Sequence, residues 1–356
     1  MNASSKGEGR RVAENPHRGG AGWPKMRQDL DVPRLNEDGL ARFLITGGCG
    51  FIGSHLVASL VGDGHAVTVL DDLSRGRSNR LPSQVDLVVG DVADLETVRS
   101  ALAEADGCFH LAAQADVQES VSDWLGTHRA NVTGTVTVFE AIREARRRIP
   151  VVYASSAFVY GDTNVLPVPV PETERLRPMS PYTADKVGSE SHATAAWYSH
   201  GLPSIRLRIF NVYGPVDLTA AGEQPGVVAA FVGRLQRREP ITVYGQGDQL
   251  RDFIYVADVV NHLRAAMGRS VSDALIYNVC TGRPTSIVEL ARLLADLLEP
   301  PLAIRSEPKR AGDIQASIDD PAAAFAALGL SADISIEEGL RCMIHGSRPA
   351  TTAAAQ

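Results

Sequence analysis

The chain has 356 residues, 44% hydrophobic and 22% charged, with a formal net charge of -7. That balance fits a globular protein of one large domain or two unequal ones and excludes one built around a basic nucleic-acid surface. Cys49, Cys108, Cys280 and Cys342 lie far apart, with no C-x-x-C pair and no histidine at metal spacing. Reduced thiols in a cytoplasmic protein without a metal site are therefore expected. No apolar run is long enough to cross a bilayer, so no membrane partner is expected either.

Residues 1–39 are rich in Gly, Arg, Asn, Glu and Pro without an apolar period, which predicts a disordered tail. Order begins at Arg42. Phe43-Leu44-Ile45-Thr46 reads as a buried strand, followed by a glycine turn and a helix from Phe51 to Val61. The alternation continues with strands at Ala66 to Leu70 and Val85 to Val89, a helix at Leu95 to Ala103, and a strand at Gly107 to Leu111. A long helix from Thr127 to Arg147 and a strand from Pro150 to Ala154 complete it. This rhythm predicts an α/β fold, a Rossmann-type doubly wound parallel sheet spanning residues 40–214. Beyond 214, loops rich in Pro, Gly and Gln separate shorter elements: Gly226 to Arg237, Ile241 to Val243, Phe253 to Tyr255 and Ser286 to Leu298. Residues 215–345 are read as mainly a smaller C-terminal α/β substrate lobe, and 346–356 as a second tail. The site belongs in the crevice at the carboxyl ends of the strands.

The first strand runs into Thr46-Gly47-Gly48-Cys49-Gly50-Phe51-Ile52-Gly53, which places glycines at 47, 50 and 53. Gly47 suits a tight turn and Gly50 the approach of a pyrophosphate to a helix N-terminus. Gly53 suits close packing of helix on strand. About twenty residues on, the second strand ends in Asp71-Asp72. A carboxylate there accepts bonds from ribose hydroxyls and repels a 2′-phosphate, so Asp71 favours NAD over NADP. Arg75 and Arg77 nearby temper that preference. Gly90-Asp91-Val92 ends the third strand, suited to the adenine edge, and His110-Leu111-Ala112-Ala113 ends the fourth. The small residues there let a cofactor lie on the backbone, and His110 is expected to be a packed, neutral histidine.

The fifth strand leads into Ser155-Ser156-Ala157-Phe158, and twenty-six residues beyond Ser156 comes Tyr182-Thr183-Ala184-Asp185-Lys186. Pro181 suits a helix start, and Tyr182 and Lys186, four apart, share one face. A free tyrosine, with a pKa of about 10, is a poor base at neutral pH. A neighbouring ammonium and a positive nicotinamide ring would favour the phenolate. Tyr182 is then the candidate base, with Ser156 bonding the same substrate oxygen and Lys186 also holding the nicotinamide ribose.

With these residues in order, residues 42–345 resemble the NAD-dependent epimerase/dehydratase family, the extended short-chain dehydrogenases/reductases that include UDP-glucose 4-epimerase. The likeness rests on TGGCGFIGSHL, VLDDLSRG, GDVAD, HLAAQA, YASSAFVYG, SPYTADK, RIFNVYGP, YGQGDQLRDFIYVADVV and RAGDIQAS. It implies NAD contacts from Gly47, Gly50, Phe51, Ile52, Gly53, Asp71, Asp72, Leu73, Asp91, Val92, Leu111, Ala112, Ala113, Asn131, Ser155, Tyr182, Lys186 and Phe210. It implies nucleotide-sugar contacts from Ser156, Asn211, Val227, Tyr244, Arg251, Arg310, Asp313 and Ser317. Arginine's planar fork suits the diphosphate.

The resemblance also narrows the chemistry. Sugar 4,6-dehydratases carry an Asp-Glu pair after the catalytic serine or threonine, where this chain has Ala157 and Phe158. The glutamate that decarboxylases place in this region is missing too. A 4-epimerase of UDP-glucose and UDP-galactose is the implied enzyme. Ser317, seven places after Arg310 where some 4-epimerases carry a bulky residue, leaves room for N-acetylhexosamines. Alternatives are an NAD(P)-dependent reductase of a 4-keto nucleotide sugar, a UDP-glucuronate 4-epimerase, or a dinucleotide-sensing protein without catalysis. Two departures stand out: Asp185 where relatives have serine before the lysine, and Val216 where they often have arginine. A homodimer joined through the helices at Leu95 to Ala103 and Thr127 to Arg147 is the expected assembly.

Overall fold

The structure, a computed structural model, describes residues 39–163, 166, 168–215, 226–269, 274–298, 303–309 and 314–345. The tails read from the sequence, apart from residue 39, lie outside the described residues, as do Arg310, Asp313 and Val216. Buried, β-branched runs form the main strands. These are β1 (Arg42–Thr46), β2 (Ala66–Asp71), β3 (Asp86–Val89), β4 (Gly107–His110), β5 (Val151–Ser156) and β6 (Ser204–Ile209). After β7 (Asn211–Tyr213), β8 (Ile241–Tyr244) and β9 (Leu250–Tyr255), strand β10 (Ala274–Val279) joins the main set. The seven-stranded sheet is parallel throughout, in the order β10-β6-β5-β4-β1-β2-β3. The chain winds outward from β1 to β3, then returns to the other side of β1 with β4. The crevice of an open α/β sheet opens at this switch, between the carboxyl ends of β1 and β4.

Helices cover both faces. Helix α1 (Phe51–Gly62) packs on one face, and α2 (Leu95–Leu102), started by Asp94 accepting from Thr97 N at 2.8 Å, packs on the other. The expected helix from Thr127 to Arg147 runs from Trp124 to Ala145 as α4 (Trp124–His128), a π turn (Arg129–Thr133) and α5 (Gly134–Ala145), preceded by the separate α3 (Val117–Ser122). Asn131 marks the break. Its carbonyl accepts from Thr135 Oγ1 (2.6 Å) and Ser189 Oγ (3.1 Å), and its side chain grips Gln114. Side-chain donors inserted into the ladder loosen it into a wider turn.

Helix α6 (Pro181–His200) carries the candidate base. Ser180 and Thr183 cap it reciprocally, Pro181 opens it, and Gly201 closes it in the left-handed region at φ 66°. Helices α7 (Val227–Gln236), α8 (Val256–Met267), α9 (Ile287–Leu298), α10 (Ala322–Leu328) and α11 (Ile336–His345) follow. The short strands β11 (Pro284–Ser286), β12 (Ile304–Glu307) and β13 (Ala316–Ser317) lie among them. A second sheet takes the order β11-β9-β13 with β7 also on β9, and β8 pairs β12. These strands pack with α7, α9 and α11 around a separate core that includes Phe231, Phe253, Leu290 and Leu340.

The two sheets interleave across the expected boundary at residues 214 and 215. Strand β7 belongs to the second sheet although it precedes the boundary, whereas α8, β10 and α10 return to the first. Pairing by β10 covers the β6 edge, which would otherwise present unpaired backbone groups. Val259, Leu263 and Ala266 of α8 cover an apolar face that the first six strands leave open.

Where the returning chain bridges Val170, Asp319 is fully buried at 0% exposed, and neither carboxylate oxygen finds a hydrogen-bond partner among the described residues. Burial, then the nearby Asp252 carboxylate, pushes its pKa from 3.8 up to about 8. Because the folded pKa lies above the unfolded one, stability is full below pH 3.8 and falls as pH rises toward 8. Denaturant unfolding from pH 5 to 9 should show wild type losing about 4 kcal/mol more than Asp319→Asn. Parallel losses would show that this carboxyl is not held neutral.

Candidate active site

The glycine loop is built by exclusion of side chains. Gly47 has φ +71°, and a Cβ there would lie 2.7 Å from Ala112 N; a Cβ on Gly53 would lie 2.2 Å from Gly47 O. The loop therefore presses against both the start of α1 and the loop after β4. Gly50 is the N-cap of α1, with no side-chain capping bond and no acidic residue in the first turn. The backbone N–H groups and the positive dipole end at this turn suit an anionic diphosphate.

Asp71, at the end of β2 and 8% exposed, accepts from Cys49 N and Leu73 N, both at 2.9 Å. One carboxylate thus ties the glycine loop to the β2 turn and keeps lone pairs for ribose hydroxyls. Burial raises its pKa, and those two N–H bonds pull it back down. Asp72, also expected at the cofactor, accepts at Oδ1 from Ser74 N (2.9 Å) and Ser74 Oγ (2.6 Å). Arg75 pairs with Glu119 of α3, so its charge is partly met. Asp91 accepts from Ala93 N at 2.7 Å and pairs with Arg129 at 2.8 Å. Val92 is buried, whereas Phe51, Ile52, Leu73, Leu111, Ala112 and Ala113 are half-buried around the same strand ends. An open helix start, a cradle that any Cβ would fill and a carboxylate at the second strand end fit a dinucleotide.

His110 is the packed, neutral histidine expected. Thr135 Oγ1 donates to Asn131 O, so at 3.0 Å it accepts from His110 Nε2–H. Nδ1 then accepts from Thr46 Oγ1 at 2.7 Å, and Thr46 Oγ1 accepts from Ala112 N at 3.2 Å. Burial pushes the imidazole down to about 3. Asn131 is 1% exposed and its amide is committed to Gln114, so it shapes the loop that faces the crevice.

The structure brings Ser156, Tyr182 and Lys186 together. Ser156 ends β5, accepts from Phe158 N at 3.2 Å and stands beside the Tyr182 phenol, whose pKa it lowers against the effect of burial. Lys186 Nζ donates to Ala154 O at 2.7 Å and lies 5.9 Å from the centre of the Tyr182 ring. It is 4.8 Å from the Tyr153 ring on its other side. Lys186 is 3% exposed, and burial lowers its pKa to about 7 while Glu190 and Asp185 raise it.

Burial raises the Tyr182 phenol's pKa, and Ser156 opposes that rise. A phenolate at neutral pH therefore needs positive charge beside it, from the Lys186 amine 5.9 Å from the ring centre and from a bound nicotinamide.

The expected sugar-end residues converge on the second sheet. Ile209 of β6 is in register with Ser156, and Phe210 (2% exposed) and Asn211 follow it directly. Asn211 Nδ2 donates to Asp252 O at 3.0 Å, and Arg251 on β9 sits opposite Ser317 on β13. Ser317 is buried, whereas Val227 at the start of α7 and Tyr244 on β8 are half-buried in the same lobe. Sequence reading missed Asp252. Its carboxylate gathers Thr281 N, Thr281 Oγ1 and Gly282 N at 2.7 to 2.9 Å, joining β9 to the end of β10. It also missed Glu190 and Arg208, although Glu190 continues the i, i+4 stripe of Tyr182 and Lys186.

A doubly wound sheet with this glycine loop and a Ser-Tyr-Lys set defines a dinucleotide-dependent short-chain dehydrogenase/reductase. The sequence pattern of the NAD dependent epimerase/dehydratase family matches residues 43–280, and the chain belongs to that family. It is 36% identical over 306 residues to a UDP-glucose 4-epimerase of Mycolicibacterium smegmatis, covering 84% of this chain and 96% of the relative. A UDP-glucuronic acid decarboxylase 1 of Xenopus tropicalis is 32% identical, over 88% of this chain and 74% of its own. Among solved structures, UDP-glucose 4-epimerase of Thermotoga maritima with UDP-glucose superposes with a TM-score of 0.81 at 33% identity. The match covers 85% of this chain and 97% of that one.

The packing at Gly53 predicts that Gly53→Ala loses at least about 2 kcal/mol of stability, since a new Cβ meets backbone rather than a flexible side chain. Its affinity for added NAD should fall at least about tenfold by calorimetry. Wild-type melting temperature and affinity would refute the close packing.

Proposed function

We propose that the protein is an NAD-dependent nucleotide-sugar 4-epimerase that interconverts UDP-glucose and UDP-galactose. The observation that carries this reading is the convergence at the end of β5 of Ser156, the buried Tyr182 phenol whose pKa it pulls down, and the Lys186 amine buried 5.9 Å from the phenol ring centre. When bound, NAD supplies a hydride acceptor and donor and a positively charged ring. Tyr182 takes the proton from the sugar C4 hydroxyl as that carbon becomes a carbonyl, and Ser156 holds the same oxygen. Lys186 keeps two N–H donors beyond the one given to Ala154 O, enough for a ribose. With the sugar turned over as a 4-ketone, C4 would take its hydride back on the opposite face while Tyr182 returns the proton to the C4 oxygen. Nothing else is consumed, so no external coenzyme turnover is required.

Ala157 and Phe158, which follow Ser156, carry no proton-transferring group. That favours epimerisation over the loss of water or carbon dioxide, including the chemistry named for the Xenopus relative. Asp71 favours NAD over NADP. Asn211, Val227, Tyr244, Arg251 and Ser317, together with Arg310 and Asp313, are the proposed contacts to the UDP-sugar. The small side chain of Ser317 favours a site that also accepts UDP-N-acetylglucosamine and UDP-N-acetylgalactosamine.

A homodimer is proposed that keeps the expected helix around Thr127 to Arg147 and replaces α2 by α3 and α6. Helix α2 turns Val98, Ala101 and Leu102 into the core, which leaves it little apolar surface. Val121, Trp124 and Leu125 of α3 and α4, Val136 of α5 and Tyr198 of α6 are exposed instead.

Tyr182→Phe should keep the fold and bound NAD yet lose at least about 1,000-fold in kcat with UDP-galactose, measured by proton NMR at C4. Unchanged turnover would remove Tyr182 from the reaction.

A further inference from the structure

Glu190 and Arg208 form an ion pair that is almost completely buried, with side chains 4% and 3% exposed. Such a pair is rarely more stabilising than well-packed apolar residues, because both charges lose their water. Its location suggests another use. Along α6, Tyr182, Lys186 and Glu190 occupy successive turns of one stripe, and each meets the end of β5. Tyr182 meets Ser156, Lys186 meets Ala154 O, and Glu190 Oε1 accepts from Ser155 Oγ at 2.5 Å.

Arg208 holds the glutamate from the neighbouring strand. Its Nε donates to Oε1 at 2.9 Å and its Nη2 to Oε2 at 2.7 Å, the two-pronged geometry that fixes a carboxylate in direction as well as distance. The guanidinium is anchored in turn. Its Nη1 donates to Tyr160 Oη at 2.7 Å and Glu172 O at 3.1 Å, and Tyr160 donates to Asn278 Oδ1 of β10 at 2.8 Å. Arg206 adds a bond from Nη1 to Glu190 O at 2.9 Å. The carboxylate is thus tied to β5, β6 and β10 at once.

The charged and titratable groups around Lys186 come from four elements. On α6 are Tyr182, Asp185 and Glu190, with Asp185 bonded to His128 of α4 at 2.9 Å. On β5 is Tyr153, with His110 of β4 stacked behind it. Burial drives the Lys186 amine toward its neutral form, and Glu190 is the first of the two carboxylates opposing that drive.

We propose that Glu190, clamped by Arg208, is a positioning residue: its buried carboxylate holds Lys186 as a cation beneath Tyr182 and, through Ser155, fixes the strand end that carries Ser156. This rests on the reading of Tyr182 as the base. Without the carboxylate, Lys186 gives up its proton at lower pH and the Tyr182 phenol holds its own to higher pH. The change Glu190→Asp would keep the charge but withdraw it by one methylene.

The test is an ultraviolet difference titration of the NAD-loaded protein, with kcat and KM for UDP-galactose measured across pH. In Glu190→Gln the Tyr182 midpoint and the acid limb of kcat should both move up by about one pH unit. Turnover at pH 7 should fall about tenfold, with KM within about threefold of wild type. Glu190→Asp should shift in the same direction by less than half as much. If Glu190→Gln does not fold, Glu190→Asp alone decides the matter. A midpoint unmoved in whichever variant folds overturns the proposal. Tyr182→Phe separates the two readings. Loss of the titration step there, with no shift in the Glu190 variants, defeats only the role of Glu190. Persistence of the step in Tyr182→Phe defeats the assignment of the base.

Discussion

A lysine amine taken out of water is the costliest feature of this site, and much of the surrounding architecture serves to tolerate it. Lys186 has one carbonyl to bond, two aromatic faces to lie against and carboxylates on either side along its own helix. Each is an interaction that favours a cation. Removing the β5 end or rotating α6 would strand the charge, so the register of strand and helix is constrained by electrostatics as well as by packing. The capping box at Ser180 fixes where α6 begins, and hence which side chain reaches Ser156.

The glycine loop poses the opposite problem. There the structure needs absence: no Cβ at 47 or 53, no capping side chain at 50, no acidic residue in the first turn of α1. Asp71 supplies the one charge and uses it partly on its own loop. The strand order carries this loop and the Tyr182 set to the same edge of the sheet, on neighbouring parallel strands β1, β4 and β5. Sheet topology therefore does for the site what no local sequence feature could do alone.

The parts of this that could be read from sequence are those governed by local rules. The strand-helix alternation, the glycine spacing, Asp71 at a strand end and the four-residue step from Tyr182 to Lys186 depend on neighbours in the chain. The π turn at Asn131 depends on Ser189, 58 residues away, and Asp319 is brought to its buried place by the bridge to Val170. The return of β10 to the first sheet hides for the same reason. Its hydrophobic pattern states that it is a strand but not which edge it covers.

The central claim is that one hydride leaves C4 and returns to the same carbon without mixing with solvent or with free coenzyme. UDP-glucose carrying deuterium at C4 tests it directly. Incubated with the purified protein and no added NAD or NADH, it should yield UDP-galactose with the deuterium still at C4, as read by mass and proton NMR. Loss of the label to water, or conversion only when NADH is supplied, would contradict the account.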